Sequence, residues 1–274
     1  MSLSIRRHRP GQESQGYLSS VADLMSALLF IFILVLVAAV YQIGGLWHKV
    51  QAKGEQLTLR LQTIQNKLDG ANADRAHMLK SIQQSLKDAG IDAEIDAPTG
   101  VLRIPDREVT FATGSSELDE VNREKITNIG TVLEKMLYCR IATHLNEEVC
   151  RQQNPSQHLL DAIFVEGHTD NQPFAGDLTG EGNRLLSTRR ANAVYAVMVL
   201  GNPTLQQFKN IRKEAIFSLS GYGADRPVKG HEHALPTNDP SNRRIEFRLI
   251  YTQQGLSDQE KKFVNQSWKE YWNE

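Results

Sequence analysis

Asp170, Asn183, Ser187 and Arg190 are residues whose types and spacing suit a binding site. Asp170 closes the run "FVEGHTD", which reads as the end of a strand. The other three are four and three residues apart on a helix expected to begin near Asn183, so they share one face. A carboxylate and a guanidinium brought together suit a zwitterionic ligand: Asp170 would pair with an ammonium while Arg190 holds a carboxylate as a bidentate fork. The plainer reading is that Asn183 caps the helix and that Asp170 and Arg190 pair with each other. Spacing leaves both open. His168 lies beside this group, but no nucleophile or metal-ligand spacing accompanies it, so acid–base catalysis is not expected.

A second chemically loaded residue lies in "SVADLMSALLFIFILVLVAAV". From Val21 to Val40 only Asp23 and Ser26 are polar, and the run has the length, about 20 residues, that crosses a hydrocarbon core. An acid near a bilayer centre costs on the order of 3 kcal/mol on insertion scales. Asp23 is therefore expected to be protonated or to face a polar path between neighbouring helices, as groups that relay ions do. Ser19, Ser20 and Ser26 are placed to line such a path. An acid that reaches the interface, or that pairs with a partner's lysine for assembly alone, is the plain alternative.

These residues need elements to hold them. Strand-like runs occur at "VLRIP", "LLDAIFVEGH", "AIFSLSGYG" and "RRIEFRLIY", the last alternating Ile245, Phe247 and Leu249 on one face. Helical stretches run from about Glu120 to Tyr138 and from Asn183 to about Leu200. Alternating strands and helices predict an α/β domain, a mixed sheet covered by helices. Between Gly54 and Gly90, Leu57, Leu61, Ile64, Leu68, Ala71, Met78 and Ile82 follow heptad spacing, which Arg75 interrupts. That pattern suits a weak parallel coiled coil in a homodimer or an amphipathic surface helix. The tail "SDQEKKFVNQSWKEYWNE" reads as a short amphipathic helix carrying Phe263, Trp268 and Trp272.

A net charge of -1 and the absence of any basic stripe argue against a nucleic-acid partner. The charge near the apolar run is uneven. Arg6, Arg7 and Arg9 precede it with one acid, Glu13, and His48 and Lys49 follow it, which predicts a cytoplasmic N-terminus and a periplasmic remainder. A cleaved signal peptide fits less well, because the run is long, holds an acid and is followed by the interfacial types Tyr41 and Trp47. Outside the cytoplasm Cys139 and Cys150 can form a lasting disulfide, which would stabilise by roughly 3 kcal/mol in the chain-entropy model. Two unrelated free thiols are the alternative.

Four segments in order, "GHTDNQP", "NRLLSTRRANAV", "GYGADRPV" and "NDPSNRRIEFRL", resemble the OmpA-like (OmpA/MotB C-terminal) peptidoglycan-binding domain over roughly residues 99–252. The resemblance implies that Asp170 and Arg190 grip the diaminopimelate of the peptidoglycan stem peptide. It implies further that Asn183, Leu186 and Ser187 complete the helix motif, and that Arg243 and Arg244 are the family's paired arginines. The sequence departs from the pattern at Ala112, where many relatives carry an Asp, and in the extra segment 139–158 that holds both cysteines.

The helix around Asp23 resembles that of the B subunits of flagellar-type stators, and "ADLMSALLFIFIL" followed later by "TGVLRIPDREVTFATGSSEL" looks, within that superfamily, most like the B subunits of Zorya anti-phage systems. The implied protein is a single-pass inner-membrane homodimer inside a multi-helix A-type subunit ring, pentameric by resemblance, with Asp23 and Ser26 on the path of H+ or Na+. A flagellar stator subunit and a passive wall anchor are the alternatives. The expected organisation is a cytoplasmic N-terminus (1–16), a transmembrane helix (17–46), a helical linker (47–98), the OmpA-like domain (99–252) and a tail (253–274). No enzyme activity, cofactor or metal site is expected.

Overall fold

The computed structural model describes residues 12–174 and 179–252. Arg6, Arg7 and Arg9, and the tail with Phe263, Trp268 and Trp272, lie outside the described residues. The chain forms two compact units, Met1–Lys67 and Leu68–Glu274. A single helix, α1 (Gln12–Asp88), contributes to both.

In the first unit the apolar stretch is exposed, with no other described residues packed around it. Leu28, Phe30, Ile33, Leu36 and their neighbours are exposed, and the helix is long and apolar enough to cross a membrane. A helix is the one single-segment solution there, because every backbone N–H and C=O is satisfied within it. Asp23 is exposed on this helix, and the Ser26 hydroxyl donates to the Ala22 carbonyl at 2.8 Å.

In the second unit the end of α1 joins the core. Met78, Leu79, Ile82 and Leu86, spaced at helical intervals, are buried. The heptad seam is thus divided: Leu57, Leu61, Ile64 and Leu68 are exposed, while Met78 and Ile82 pack into the domain. The compact unit therefore takes in residues that the sequence pattern assigns to the linker. The helix stops at Gly90, whose φ of 79° suits a residue without a Cβ. Gly90 N donates to the Lys87 carbonyl and Ile91 N to that of Leu86, the two bonds of a Schellman motif.

The sheet contains β1 (Glu94–Asp96), β2 (Val101–Pro105), β3 (Leu160–His168), β4 (Phe217–Gly221) and β5 (Arg244–Tyr251), in the order β1-β2-β5-β3-β4. Among the described residues only β3 and β4 pair in parallel. The parallel pair needs a crossover, supplied by α4 (Glu181–Gly201). One face of the sheet, with Leu102, Ile104, Ile163, Val165, Ile245, Phe247 and Leu249, is buried in the core shared with α4, the end of α1 and α2 (Glu120–Leu137). Each large apolar side chain so buried stabilises by about 1.5–3 kcal/mol. The mixed α/β fold expected from the alternating pattern is the one observed.

The other face of β3 and β5 is charged and also buried. Arg248 holds Glu166 through two bonds, 2.9 and 2.8 Å, and Arg244 and Arg103 both reach Glu246, at 2.7 and 2.9 Å. His168 Nε2 lies 3.3 Å from Glu246.

The segment 139–158 folds around a Cys139–Cys150 disulfide and α3 (Glu148–Gln153). Arg140 anchors it, bonded to Asn154 and, at 2.9 Å, to Asp74 on α1.

Candidate functional site

Strand order creates the site. β2 and β3 each run towards the edge of the sheet at which β5 begins, because β5 is antiparallel to both. Asp106 just after β2, Asp170 just after β3 and Arg243 just before β5 therefore meet at one edge. Arg243 links the two acids: Nη1 donates to Asp170 at 2.8 Å, and Nη2 and Nε donate to Asp106 at 2.9 and 3.2 Å. It also contacts Asn238. Partial burial works against its charge, but the hydrogen bonds to Asp170 and Asp106 outweigh this, and its pKa is raised above the ordinary value.

Arg190 approaches from α4 and is buried. Its Nε donates to the Ser115 carbonyl at 2.9 Å and its Nη2 to the Ala112 carbonyl at 3.1 Å, with the guanidinium 4.9 Å from the centre of the Phe111 ring. Burial lowers its pKa, although the negative charge of Asp106 opposes this. Among the described residues Nη1 makes no hydrogen bond. Arg190 is thus held by backbone carbonyls on one side and retains donor capacity on the other, the condition for a fork that receives a carboxylate.

These groups line a cleft of about 420 Å³ together with Thr110, Phe174, Asn183 and Leu186. Its charged lining is balanced, Asp106 and Asp170 against Arg190 and Arg243. Both plain readings drawn from spacing are replaced by different contacts. Asp170 pairs with Arg243, not Arg190. Asn183 lies inside α4, which Gly180 caps, and its Nδ2 crosses to the Gln172 carbonyl at 2.9 Å, tying helix to loop.

Of the seven residues expected at the site, the structure brings Asp170, Asn183, Leu186, Arg190 and Arg243 to the cleft. Ser187 is fully buried beneath it, accepting from Gly223 N at 2.9 Å and donating to the Arg184 carbonyl. Arg244 alternates to the charged face of the sheet, where it bonds Glu246 and the Arg226 carbonyl, and it does not line the cleft. Asp106 and Asn238 were not legible as site residues. An acid directly after "VLRIP" was the available signal for Asp106, but its meaning depends on β2 lying beside β5. Position 112 contributes its carbonyl, which any residue supplies.

Residues 110–243 match the model of the OmpA family. The chain carries an OmpA-like domain. Asp170, Asn183, Leu186, Ser187, Arg190 and Arg243 fall within the matched residues of this OmpA-like domain, whereas Asp106 precedes them and Arg244 follows. No curated protein matches the chain. Among solved structures it is similar to the periplasmic domain of Helicobacter pylori MotB, with 18% identity, 61% of this chain and 85% of that chain covered, and a TM-score of 0.41. It is also similar to a putative MotB-like protein from Desulfovibrio vulgaris, with 21% identity, coverage of 67% and 98%, and a TM-score of 0.43. A third is the cell wall anchor of the T6SS from Pseudomonas aeruginosa, with 19% identity, coverage of 65% and 96%, and a TM-score of 0.38.

Proposed function

We propose that this chain is the B subunit of an ion-driven rotary motor of the inner membrane that serves in anti-phage defence, with the OmpA-like domain fixed to peptidoglycan. In this reading two copies sit inside a pentameric ring of A-type subunits, the N-termini are cytoplasmic and the OmpA-like domains periplasmic. Asp23 of each copy takes up and releases H+ or Na+ as the ring turns. A transmembrane potential supplies about 2.3 kcal/mol per charge for each 100 mV. The cleft takes the zwitterionic diaminopimelate centre of a stem peptide: Arg190 receives its carboxylate, and the Asp170 carboxylate receives its ammonium.

The observation that carries the motor reading is Asp23, the one charged residue on the apolar span of α1. A helix that only tethers a domain has no use for a group that costs this much to insert. The cleft by itself supports wall attachment alone.

The test is phage plating on cells carrying the native gene cluster, with wild type and Asp23→Asn at matched expression. Protection by wild type that the variant loses is the expected result. Equal protection by both removes Asp23 from ion transfer and returns the chain to a passive anchor. If wild type gives no protection, the defence role fails and swimming becomes the assay for a flagellar stator.

A further inference from the structure

The segment "KGHEHALPTND" folds into a loop that precedes β5 and gathers two histidines and an aspartate. His231 Nδ1 lies 2.8 Å and His233 Nε2 2.6 Å from one oxygen, Oδ2 of Asp239. The three ligand atoms all lie within 4.8 Å of one another. We propose that His231, His233 and Asp239 bind a divalent transition-metal ion of the zinc class.

The donor set selects the ion. Two imidazole nitrogens and one carboxylate suit Zn2+ and its neighbours in the first transition row, whereas Ca2+ and Mg2+ require mostly oxygen ligands. Donors around tetrahedral zinc, each about 2.0–2.2 Å from the metal, are roughly 3.3–3.6 Å apart. The two rings therefore need to withdraw from the carboxylate by less than about 1 Å. A metal requires the two facing ring nitrogens as free donors, so each neutral imidazole would carry its proton on the other nitrogen in the bound form.

The surroundings hold this arrangement in place. Asp239 is buried, and its other oxygen accepts from Ser241 N at 2.9 Å, which orients the carboxylate. Asn242 donates to the His231 carbonyl at 2.9 Å and accepts from Val228 N at 2.8 Å. Asn171 donates to the carbonyls of His233 and Leu235, at 2.8 and 2.9 Å, and accepts from Thr237 N at 2.7 Å. The two imidazoles retain 43% and 33% of their side-chain exposure, which gives an ion a way in. The buried cluster of Glu166, His168 and Glu246 contrasts with this site. Its carboxylates are already occupied by Arg103, Arg244 and Arg248, whose positive charge opposes a metal.

An ion here would clamp a loop that borders the cleft. Asn238, which contacts Arg243, adjoins Asp239, and Asn171, which holds the loop, adjoins Asp170. Metal binding would stiffen the support of both site residues.

Untagged full-length protein in detergent, stripped with a chelator, is titrated with Zn2+ against a chromogenic competitor. Wild type should bind one ion per chain at this site. The His231→Gln/His233→Gln variant should lose more than about 100-fold in affinity, beyond the 10–100-fold typical of outer partners of a metal site. Co2+ in place of Zn2+ should give visible bands of tetrahedral strength that the variant lacks. Zn2+ should also raise the melting temperature of wild type and not that of the variant, while the metal-free proteins melt alike. Absence of saturable binding, or equal binding by wild type and the double variant, overturns the proposal. Asp239→Asn alone is a weaker test, because the aspartate also orders its turn.

Discussion

Two arginines enter the cleft under opposite constraints. Arg243 is satisfied by two acids, whereas Arg190 is anchored by neutral carbonyls and has its pKa lowered by burial. A ligand carboxylate therefore gains more at Arg190, whose guanidinium, among the described residues, is bonded to carbonyls and to no carboxylate. Truncating one partner of a desolvated charge pair costs about 2 kcal/mol or more, which is about 30-fold in Kd. Arg190→Ala is accordingly expected to weaken co-sedimentation with purified sacculi by at least that factor, and Arg190→Lys should not rescue it, because an ammonium cannot reproduce the fork. Asp170→Ala should weaken it too, leaving Arg243 with Asp106 as its one acidic partner; unchanged co-sedimentation in both variants would reduce the cleft to an internal ion-pair network.

The charged face of the sheet yields a pH dependence at the same scale. Burial lowers the pKa of His168, despite its contact with Glu246. Burial also works against the charge of Glu246, but the His168 ring 3.3 Å away and the Arg244 charge outweigh it and hold this carboxyl well below its usual range. Both depressed values act with the same sign. Below about pH 6.5 an unfolded histidine gains a proton that buried His168 resists, and below about pH 4.3 an unfolded glutamate does so before Glu246. Stability is thus fullest above about pH 6.5 and falls on acidification. Urea midpoints at pH 8, 6 and 5 should decline in that order, and the decline between pH 6 and 5 should shrink in His168→Gln.

At the scale of elements, two glycines set how closely α4 approaches the sheet. A Cβ on Gly167 would overlap the Ser187 carbonyl, and one on Gly221 would meet Thr188 and the Ser187 hydroxyl. Both obstacles include atoms of the helix backbone, so the helix itself would have to move and carry Arg190 with it. Overpacking of this kind costs about 1–3 kcal/mol, and Gly167→Ala should lower the melting temperature by roughly 2–4 °C for each kcal/mol and weaken sacculus binding as well. The disulfide acts on a different element. It closes the insertion whose Arg140 reaches Asp74, and Cys139→Ala/Cys150→Ala is expected to cost roughly 3 kcal/mol by the chain-entropy relation. Sacculus binding at a temperature where the variant is folded should persist, since neither cysteine lines the cleft. The elements themselves were largely legible. The strands β2 to β5 and the helices α2 and α4 announce themselves by period, because each has one face in the core. β1 has only three residues, too few for a pattern, and the heptad seam has the same spacing whether it faces a second helix or a sheet. Asn183, Leu186 and Arg190 were readable as one helix face, but the Arg243 bridge between Asp106 and Asp170 arises from strand order, which no local spacing encodes.

For the whole molecule, the proposed function assigns one task to each compact unit, ion transfer to Asp23 and attachment to the OmpA-like cleft. A motor whose anchor is released spends its torque turning the anchor, and an anchored unit without its ion carrier generates none. The two lesions should therefore separate in one assay and coincide in another. Full-length Asp23→Asn is expected to co-sediment with sacculi as wild type does and to give no protection against phage. Arg190→Ala should lose both. The informative comparison is Arg190→Ala in the plating assay: protection retained at wild-type level, with sacculus binding lost, would mean that fixation to the wall is unnecessary and that Asp23 acts in a machine held by something else.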